Sequence, residues 1–186
     1  MHIRPATPDD LDAITAIYAE AVLNGAGSYE LDPPDRATME ERMAQVLAAG
    51  FPYIVAEDET GILGYAYASH YRTRPAYRFL AEDSIYVAPA AKGKGVGKAL
   101  LTELIQACDA IGFYRMIAVI GDGGVNVASV ALHRSLGFVE CGRISGSGFK
   151  HGRWLDTVFM QRDLPGAEGR TPSAQDYPLH HRKPQG

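Results

Sequence analysis

The sequence is poor in cysteine and tryptophan and has no long hydrophobic run. Its two cysteines, Cys108 and Cys141, lack the spacing of metal ligands. Cys108 falls in the apolar stripe of a predicted helix, where a buried free thiol is expected. No apolar stretch approaches the roughly 20 residues that a membrane helix needs, and Met1–Pro5 does not have the form of a signal peptide. We therefore expect a cytoplasmic protein that carries no metal and does not enter a membrane.

The sequence also has no excess of basic residues. The 22 acidic residues outnumber the 18 lysines and arginines, and the resulting net charge of −4 argues against a general nucleic-acid binder. A local basic pocket is compatible with these totals. A length of 186 residues, 46% of them hydrophobic, is typical of one domain with a full core.

The hydrophobic pattern ends near residue 164. We predict a single domain over residues 1–164 and a polar tail, residues 165–186, that is flexible or packs on a partner. The tail contains His180 and His181. Two adjacent histidines in a polar tail are a weak metal signal, and no metal is assigned to them.

Periodicity predicts both helices and strands within the domain. One helix is expected to end near Asn24. Two others are expected to span about 36–49 and 126–135, and a fourth is expected to follow the turn at 92–98. The predicted strands are 3–6, 53–56, 62–70, 79–87, 116–120, 138–145 and 154–162. We expect the inward-facing residues of the 36–49 helix to be Met39, Met43, Val46 and Leu47, and the sheet-packing residues of the 126–135 helix to be Ala128, Leu132 and Leu136.

The most informative segment is a short strand that leads into a glycine-rich turn. Glu82–Val87 is β-branched and aromatic, which is typical of a strand. Five residues after it, the segment Lys92–Lys98 contains three glycines and opens an apolar helix. A strand, a glycine-rich turn and a helix form a pocket of backbone N–H groups that binds anions. Lysines at both ends of the turn favour a phosphate or a pyrophosphate.

The spacing of the glycines excludes two common phosphate loops. A Walker loop needs glycine where Lys92 stands and a hydroxyl where Ala99 stands. The dinucleotide fingerprint also fails, because its last position never falls on a glycine. The pattern that fits is a polar residue, two of any type, then Gly-x-Gly, with Lys92, Gly95 and Gly97 in these places. A solvated helix start is the alternative interpretation.

This pattern resembles the pyrophosphate-binding turn of the GNAT superfamily of N-acetyltransferases, which usually has Gln or Arg in place of Lys92. Residues 126–138 are similar to a second segment of that superfamily, with Asn126, Ser129, Leu132, His133, Gly137 and Phe138 at the matching places. The resemblance implies that the asparagine and the small polar residue touch coenzyme A. His133 stands where the superfamily has a tyrosine beside the thioester sulfur. An amphipathic helix without a ligand is the alternative.

Three segments are similar to the phosphinothricin and methionine sulfoximine N-acetyltransferases. They are residues 82–87, 132–138 and the run Lys150-His151-Gly152-Arg153-Trp154-x-Asp156. The similarity spans about residues 2–164. It implies an α/β (α+β) GNAT acyl-CoA N-acyltransferase fold, with a mixed, mostly antiparallel sheet flanked by helices. It also implies acetyl transfer from acetyl-CoA to the α-amino group of a small amino acid analogue, and a homodimer whose last hairpin reaches the neighbouring site.

The resemblance assigns roles to particular residues. Glu82 is expected to be the general base, with an ion pair to Arg78 as the alternative. The N–H of Val87 would polarise the thioester carbonyl, and His133 would protonate the sulfur, with Tyr86 as a rival. The residues expected to bind coenzyme A are Ile85, Tyr86, Val87, Lys92, Gly93, Lys94, Gly95, Val96, Gly97, Lys98, Asn126, Ser129 and His133. Those expected to bind the acceptor are Arg72, Arg74, Pro75, Ala76, Tyr77, Arg78 and Glu82.

Two other functions stay open on the sequence. One is acetylation of a protein or peptide amine, which needs an open groove rather than an arginine-rich loop. The other is a non-catalytic module that binds coenzyme A. The presence of both Glu82 and His133 speaks against the second.

Overall fold

The computed structural model describes residues 1–167, 169–176 and 178, and these contain seven strands and four helices. The strands are β1 (His2–Pro5), β2 (Tyr53–Asp58), β3 (Gly61–His70), β4 (Leu80–Val87), β5 (Arg115–Gly121), β6 (Val139–Lys150) and β7 (Arg153–Asp163). The helices are α1 (Leu11–Asn24), α2 (Arg36–Ala48), α3 (Val96–Ile111) and α4 (Val127–Ser135).

The strands form one mixed sheet in the order β1-β2-β3-β4-β5-β7-β6. Neighbouring strands are antiparallel except β4 and β5, which run parallel. The predicted mixed, mostly antiparallel sheet flanked by helices is therefore confirmed.

The last hairpin is longer than predicted: β6 continues to Lys150 through Gly146 and Gly148. This stretch lacks apolar alternation, and register shifts interrupt its pairing with β7.

Two cores lie on opposite faces of the sheet. Helix α3 packs its apolar stripe on one face, and that core includes Leu100, Leu104, Cys108 and Phe138. The predicted buried thiol of Cys108 is confirmed. Helices α1 and α2 cover the other face, where rings of Tyr53, Tyr65, Tyr67 and Tyr86 stack along three strands and Tyr18 meets Tyr86 edge-on at 4.9 Å.

Two predicted core positions are wrong. Met39 and Met43 of α2 are buried, but Leu47 is 45% exposed. The buried stripe advances from Met43 to Val46, and Leu47 lies one residue beyond it, on the solvent side. In α4, Leu132 and Leu136 pack against the α3 core as predicted, whereas Ala128 is exposed.

The first part of the predicted tail contacts the domain. Pro165–Ala167 forms a short 3₁₀ turn, and the N–H of Gly166 donates to Oδ1 of Asp109 at the end of α3, 2.7 Å away. Arg78 donates to the carbonyl of Asp176 at 3.3 Å. The domain boundary and the flexible tail stay predictions. His180 and His181 lie outside the described residues.

Among the described residues, no helix combines the length and the apolar character required to span a membrane.

Candidate functional site

The site begins where the two parallel strands separate. β4 and β5 pair from Leu80 with Arg115 to Asp83 with Ala118, and beyond that point both strands continue without pairing to each other. Because β4 extends four residues further and β5 three, a wedge-shaped gap opens in the middle of the sheet.

Backbone N–H groups of β4 point into this gap. Ala88 donates its N–H to the carbonyl of Leu63 on β3, at 2.9 Å. Hydrogen-bonding direction alternates along a strand, so Tyr86 also faces β3, and the N–H groups of Ile85 and Val87 face the gap. The geometry fits the predicted contact of these two residues with a coenzyme thioester.

The glycine-rich turn closes one end of the gap. Gly93 and Gly95 have φ angles of +75° and +82°, which favour glycine over other residues, and Gly95 is the N-cap of α3. The first four N–H groups of a helix have no partner within it, so those of Gly95–Lys98 are available to an anion. Lys92, Lys94 and Lys98 surround the turn with exposed side chains.

Gly97 allows the turn, β4 and α4 to approach closely. A Cβ at this position would lie 3.2 Å from Cδ2 of Leu132 and 3.7 Å from Cγ2 of Val87. A larger residue would push α4 away from the mouth of the gap.

Asn126 and Ser129 have a structural role in the chain itself. Asn126 is the N-cap of α4 rather than its first residue, and its side-chain oxygen accepts the N–H of Ser129 at 3.4 Å. Its amide nitrogen donates to the carbonyl of Gly121 at 3.4 Å. Asn126 therefore ties α4 to the end of β5, at the wall of the gap. Contact of either residue with coenzyme A stays a prediction.

Glu82 lies on the face of β4 that α1 covers. Side chains alternate along a strand, and since Tyr86 packs with Tyr18 of α1, Glu82 and Ser84 share that face. Burial raises the pKa of Glu82 to about 7, and the charge of Asp83 adds to the shift. An ion pair with Arg78, the alternative role of Glu82, would lower this pKa instead.

His133 lies on the opposite face of β4 and is buried. Its Nε2 is 3.0 Å from Oδ2 of Asp83, and the two side chains are 5% and 3% exposed. Its Nδ1 is 2.8 Å from the carbonyl oxygen of Ser129 and 3.5 Å from the Ser129 hydroxyl. Burial would lower the pKa of His133, but the hydrogen bond and charge of Asp83 raise it above its ordinary value. Sequence reasoning missed Asp83, because nothing in the local spacing links it to α4.

The arginine-rich loop lies just before β4. The guanidinium of Arg72 stands over the rings of Tyr71 and Tyr77, at 5.1 and 5.8 Å. Pro75–Tyr77 forms a 3₁₀ turn, and Arg74, just before it, is exposed. Arg78 stands over the ring of Phe79 at 4.2 Å and donates to the carbonyl of Pro75 at 3.2 Å.

Lys150, in the hairpin predicted to reach across a dimer, contacts a loop of its own chain. Its ammonium group is buried and donates to the carbonyl of Ser28, 2.9 Å away in the loop between α1 and α2. His151 lies 3.1 Å from the carbonyl of Gly25 in the same loop. The β6–β7 turn therefore folds back over the loop between α1 and α2, and a reach toward a neighbouring subunit stays a prediction.

The same hairpin also contacts the loop that follows β5 and the loop that follows α1. Arg153 forms a two-fold ion pair with Asp122, in the loop between β5 and α4. Tyr29 donates its hydroxyl to the carbonyl of Asp156 at 3.0 Å. The sequence analysis identified residues 150–156 as a segment similar to the family, but it did not identify Ser28, Tyr29 or Asp122 as partners of that segment.

No cluster of three or more His, Cys, Asp or Glu side chains suited to a metal occurs in the part of the chain that the structure describes.

Comparison with known proteins agrees with this geometry. The model of the Acetyltransferase (GNAT) family matches residues 14–138. The phosphinothricin N-acetyltransferase of Alcaligenes faecalis is 52% identical over 91% of this chain and 86% of its own. The L-methionine sulfoximine/L-methionine sulfone acetyltransferase of Pseudomonas aeruginosa is 40% identical over 87% and 94%.

A solved structure is similar over almost its whole length. It is that of a GNAT superfamily phosphinothricin acetyltransferase from Sinorhizobium meliloti in complex with AcCoA, with a TM-score of 0.90, 53% identity and 96% of each chain covered. These matches confirm the resemblance found in the motifs. The turn that follows β4, the gap between β4 and β5 and the matches across most of the chain lead to one conclusion: the protein belongs to the GNAT acetyltransferase family.

Proposed function

We propose that the protein transfers the acetyl group of acetyl-CoA to the α-amino group of a small amino acid of the phosphinothricin, methionine sulfoximine or methionine sulfone type. The observation that carries this proposal is the gap between β4 and β5. In this gap the N–H groups of Ile85 and Val87 have no partner strand among the described residues. The glycine-rich turn follows them along the chain, and Glu82 precedes them on the same strand.

The residues fit acetyl-CoA. The N–H groups at the start of α3, with Lys92, Lys94 and Lys98, suit the pyrophosphate, and the free edge of β4 suits the amides of the pantetheine arm. When bound, acetyl-CoA supplies an acetyl group activated as a thioester. No metal is needed for this step, since the proposed polarising group is a backbone N–H.

Three groups of the chain perform the proposed chemistry. Glu82, directly or through a water molecule, takes a proton from the acceptor ammonium so that the amine attacks. The N–H of Val87 donates to the carbonyl oxygen as negative charge develops there. His133 gives a proton to the departing sulfur. Cys108 takes no part as a nucleophile, because burial raises its pKa and keeps the thiol neutral.

The acceptor is proposed to carry a carboxylate and a second anionic or strongly polar group. Arg72, Arg74 and Arg78 lie in one short loop directly before the strand that bears Glu82. Guanidinium groups match carboxylates and phosphinates through paired hydrogen bonds. The backbone of Pro75, Ala76 and Tyr77 contributes further contacts.

An acceptor panel tests this function. With acetyl-CoA and a thiol-release assay, we expect phosphinothricin, methionine sulfoximine and methionine sulfone to be acetylated, and peptides with free amino termini to be poor acceptors. Release with peptides alone would indicate a protein acetyltransferase. Thermal stabilisation by acetyl-CoA, with no release from any acceptor, would indicate a non-catalytic module.

A homodimer through the β6–β7 hairpin is also proposed. β6 forms one edge of the sheet, and its exposed apolar side chains, with those of the adjoining β7, are Val139, Ile144, Phe149 and Trp154. An exposed strand edge with apolar side chains is a typical association surface.

Sedimentation at micromolar concentration tests this interface. We expect a dimer for the unmodified chain and a shift to monomer for Trp154→Asp, because a charge in an apolar interface is left without a partner. Leu47→Asp, at an exposed leucine on α2, is the matched control and is expected to stay dimeric. A monomer in the unmodified chain would contradict the proposal.

A further inference from the structure

Asp83 is a buried carboxylate to which the proposed reaction gives no role. It follows Glu82 on β4, but strand alternation directs it to the opposite face, toward α3 and α4. One of its oxygens, Oδ2, contacts His133; the other, Oδ1, is buried and has no hydrogen-bond partner among the described residues. A buried carboxylate with a single partner is costly unless that partner carries the compensating charge.

The two nitrogens of His133 have different partners, and this fixes where its protons lie. Nδ1 faces the carbonyl of Ser129 at 2.8 Å. A carbonyl oxygen only accepts hydrogen bonds, so Nδ1 carries a proton. Nε2 faces the carboxylate of Asp83 at 3.0 Å, and with that carboxylate ionised it carries a proton too. The ring is then an imidazolium held between β4 and its own helix.

This arrangement decides which nitrogen exchanges its proton. Nε2 is enclosed with Asp83 on the buried side of the ring. Nδ1 lies on the side of Ser129, whose hydroxyl is 3.5 Å away and is a predicted contact of coenzyme A. When Nδ1 gives up its proton, the neutral ring keeps its Nε2–H, which donates to Asp83. Nδ1 then accepts from the Ser129 hydroxyl, because the Ser129 carbonyl has no proton to donate.

Resting on the proposed function, we infer that Asp83 is a positioning residue for the acetyl transfer: it orients His133 and keeps on Nδ1 the proton destined for the departing sulfur. In that step the Nδ1–H bond breaks and an S–H bond forms. His133 changes from imidazolium to neutral imidazole, and solvent protonates it again after the thiol leaves. The proton of the acceptor ammonium goes separately to Glu82.

The neighbouring titratable groups are compatible with this role. Cys108 of α3 is influenced by Asp83, but burial and that charge raise the thiol pKa and keep it neutral. Glu82 lies on the other face of β4, and the charge of Asp83 contributes to its raised pKa. Asp83 therefore acts on both the base and the acid of the proposed reaction, from opposite sides of one strand.

The pH dependence of kcat/KM separates this role from a structural one. The acidic limb of this profile reports the ionisation of the base, Glu82, which must lose its proton. The alkaline limb reports the acid, His133, which must keep its proton. Asp83→Asn removes the charge that raises both pKa values, so both limbs are expected to move to lower pH. Activity on the alkaline limb is expected to fall about ten-fold, with acetyl-CoA affinity retained.

Two further variants make the result specific. His133→Gln is expected to lose the alkaline limb and keep the acidic one. Asp10→Asn removes a buried carboxylate that pairs with Arg4 of β1, three strands away from β4 in the sheet, and is expected to shift neither limb. If Asp83→Asn fails to fold, ¹⁵N NMR of the unmodified protein, with His133 assigned by its loss in His133→Gln, is expected to show both ring nitrogens still protonated as the pH passes the ordinary histidine pKa of about 6.5.

The outcomes are distinguishable. An unshifted profile in Asp83→Asn, with the alkaline limb lost in His133→Gln, would overturn the role of Asp83 and leave the proposed acid in place. An alkaline limb intact in His133→Gln would remove His133 from the proposed function, and Asp83 with it. A His133 ring that is already neutral below the ordinary histidine pKa of about 6.5 would also overturn the inference.

Discussion

Replacing Glu82 by glutamine is expected to lower kcat by about 10²–10⁴-fold, the usual effect of removing a general base. Glutamine keeps the size and hydrogen-bonding shape of the side chain but cannot take a proton from the acceptor. Acetyl-CoA binding is expected to be unchanged by calorimetry, because the proposed coenzyme contacts do not include the Glu82 side chain.

The pH profile gives a second expectation for this variant. The pKa of Glu82 is raised to about 7 by burial, so activity of the unmodified protein is expected to rise with pH through neutrality as the carboxyl group ionises. Glu82→Gln is expected to lack this limb. Glu59→Gln, in the exposed turn between β2 and β3, is the matched control. Near-normal turnover of Glu82→Gln at pH 7 would remove Glu82 from the mechanism.

Replacing Gly95 by glutamate is expected to abolish measurable binding of acetyl-CoA. Gly95 has a φ of +82° at the N-cap of α3, where a side chain is strained and where a carboxylate would compete with the pyrophosphate for the same N–H groups. Calorimetry with coenzyme A measures the effect directly.

Two variants separate charge from backbone strain. Gly95→Ala introduces a Cβ without a charge and is expected to weaken binding less than glutamate does. Gly61→Glu places the same side chain at a φ of +114° in the β2–β3 turn, away from the gap, with no atom close to its Cβ, and is expected to leave binding intact. Unchanged affinity in Gly95→Glu would refute the pyrophosphate site.

Features that depend on local sequence were predicted well. The turn at Lys92–Lys98 is defined by glycine spacing and by the helix that follows, and the backbone alone forms its N–H pocket. The alternation of a strand at 82–87 directs Tyr86 to the face opposite Ile85 and Val87, and the two cores have these residues on opposite faces. Strand and helix bounds agreed closely where the apolar period was clear, and least in β6, where glycine and serine replace it.

Features that join distant segments were not predictable in the same way. His133 and Asp83 are 50 residues apart, and Lys150 and Ser28 are 122 apart. The burial of Lys150 against Ser28 was not predicted, because a basic residue in a hairpin has no local sign of burial. Leu47 was placed in the core because it follows Met43 at a helical spacing of four residues. Its exposure depends on the rotation of α2 relative to the sheet, which is set by packing.

Neighbouring residues were enough to identify the glycine-rich turn, the strand before it and the family, because local backbone conformation and motif spacing depend on residues close in the sequence. Three features required the folded chain: the separation of β4 and β5 after Asp83, the pairing of His133 with Asp83, and the contacts of the last hairpin with the loop after α1. These depend on strand register and on which faces meet, and both are fixed only when the whole sheet and its helices pack together.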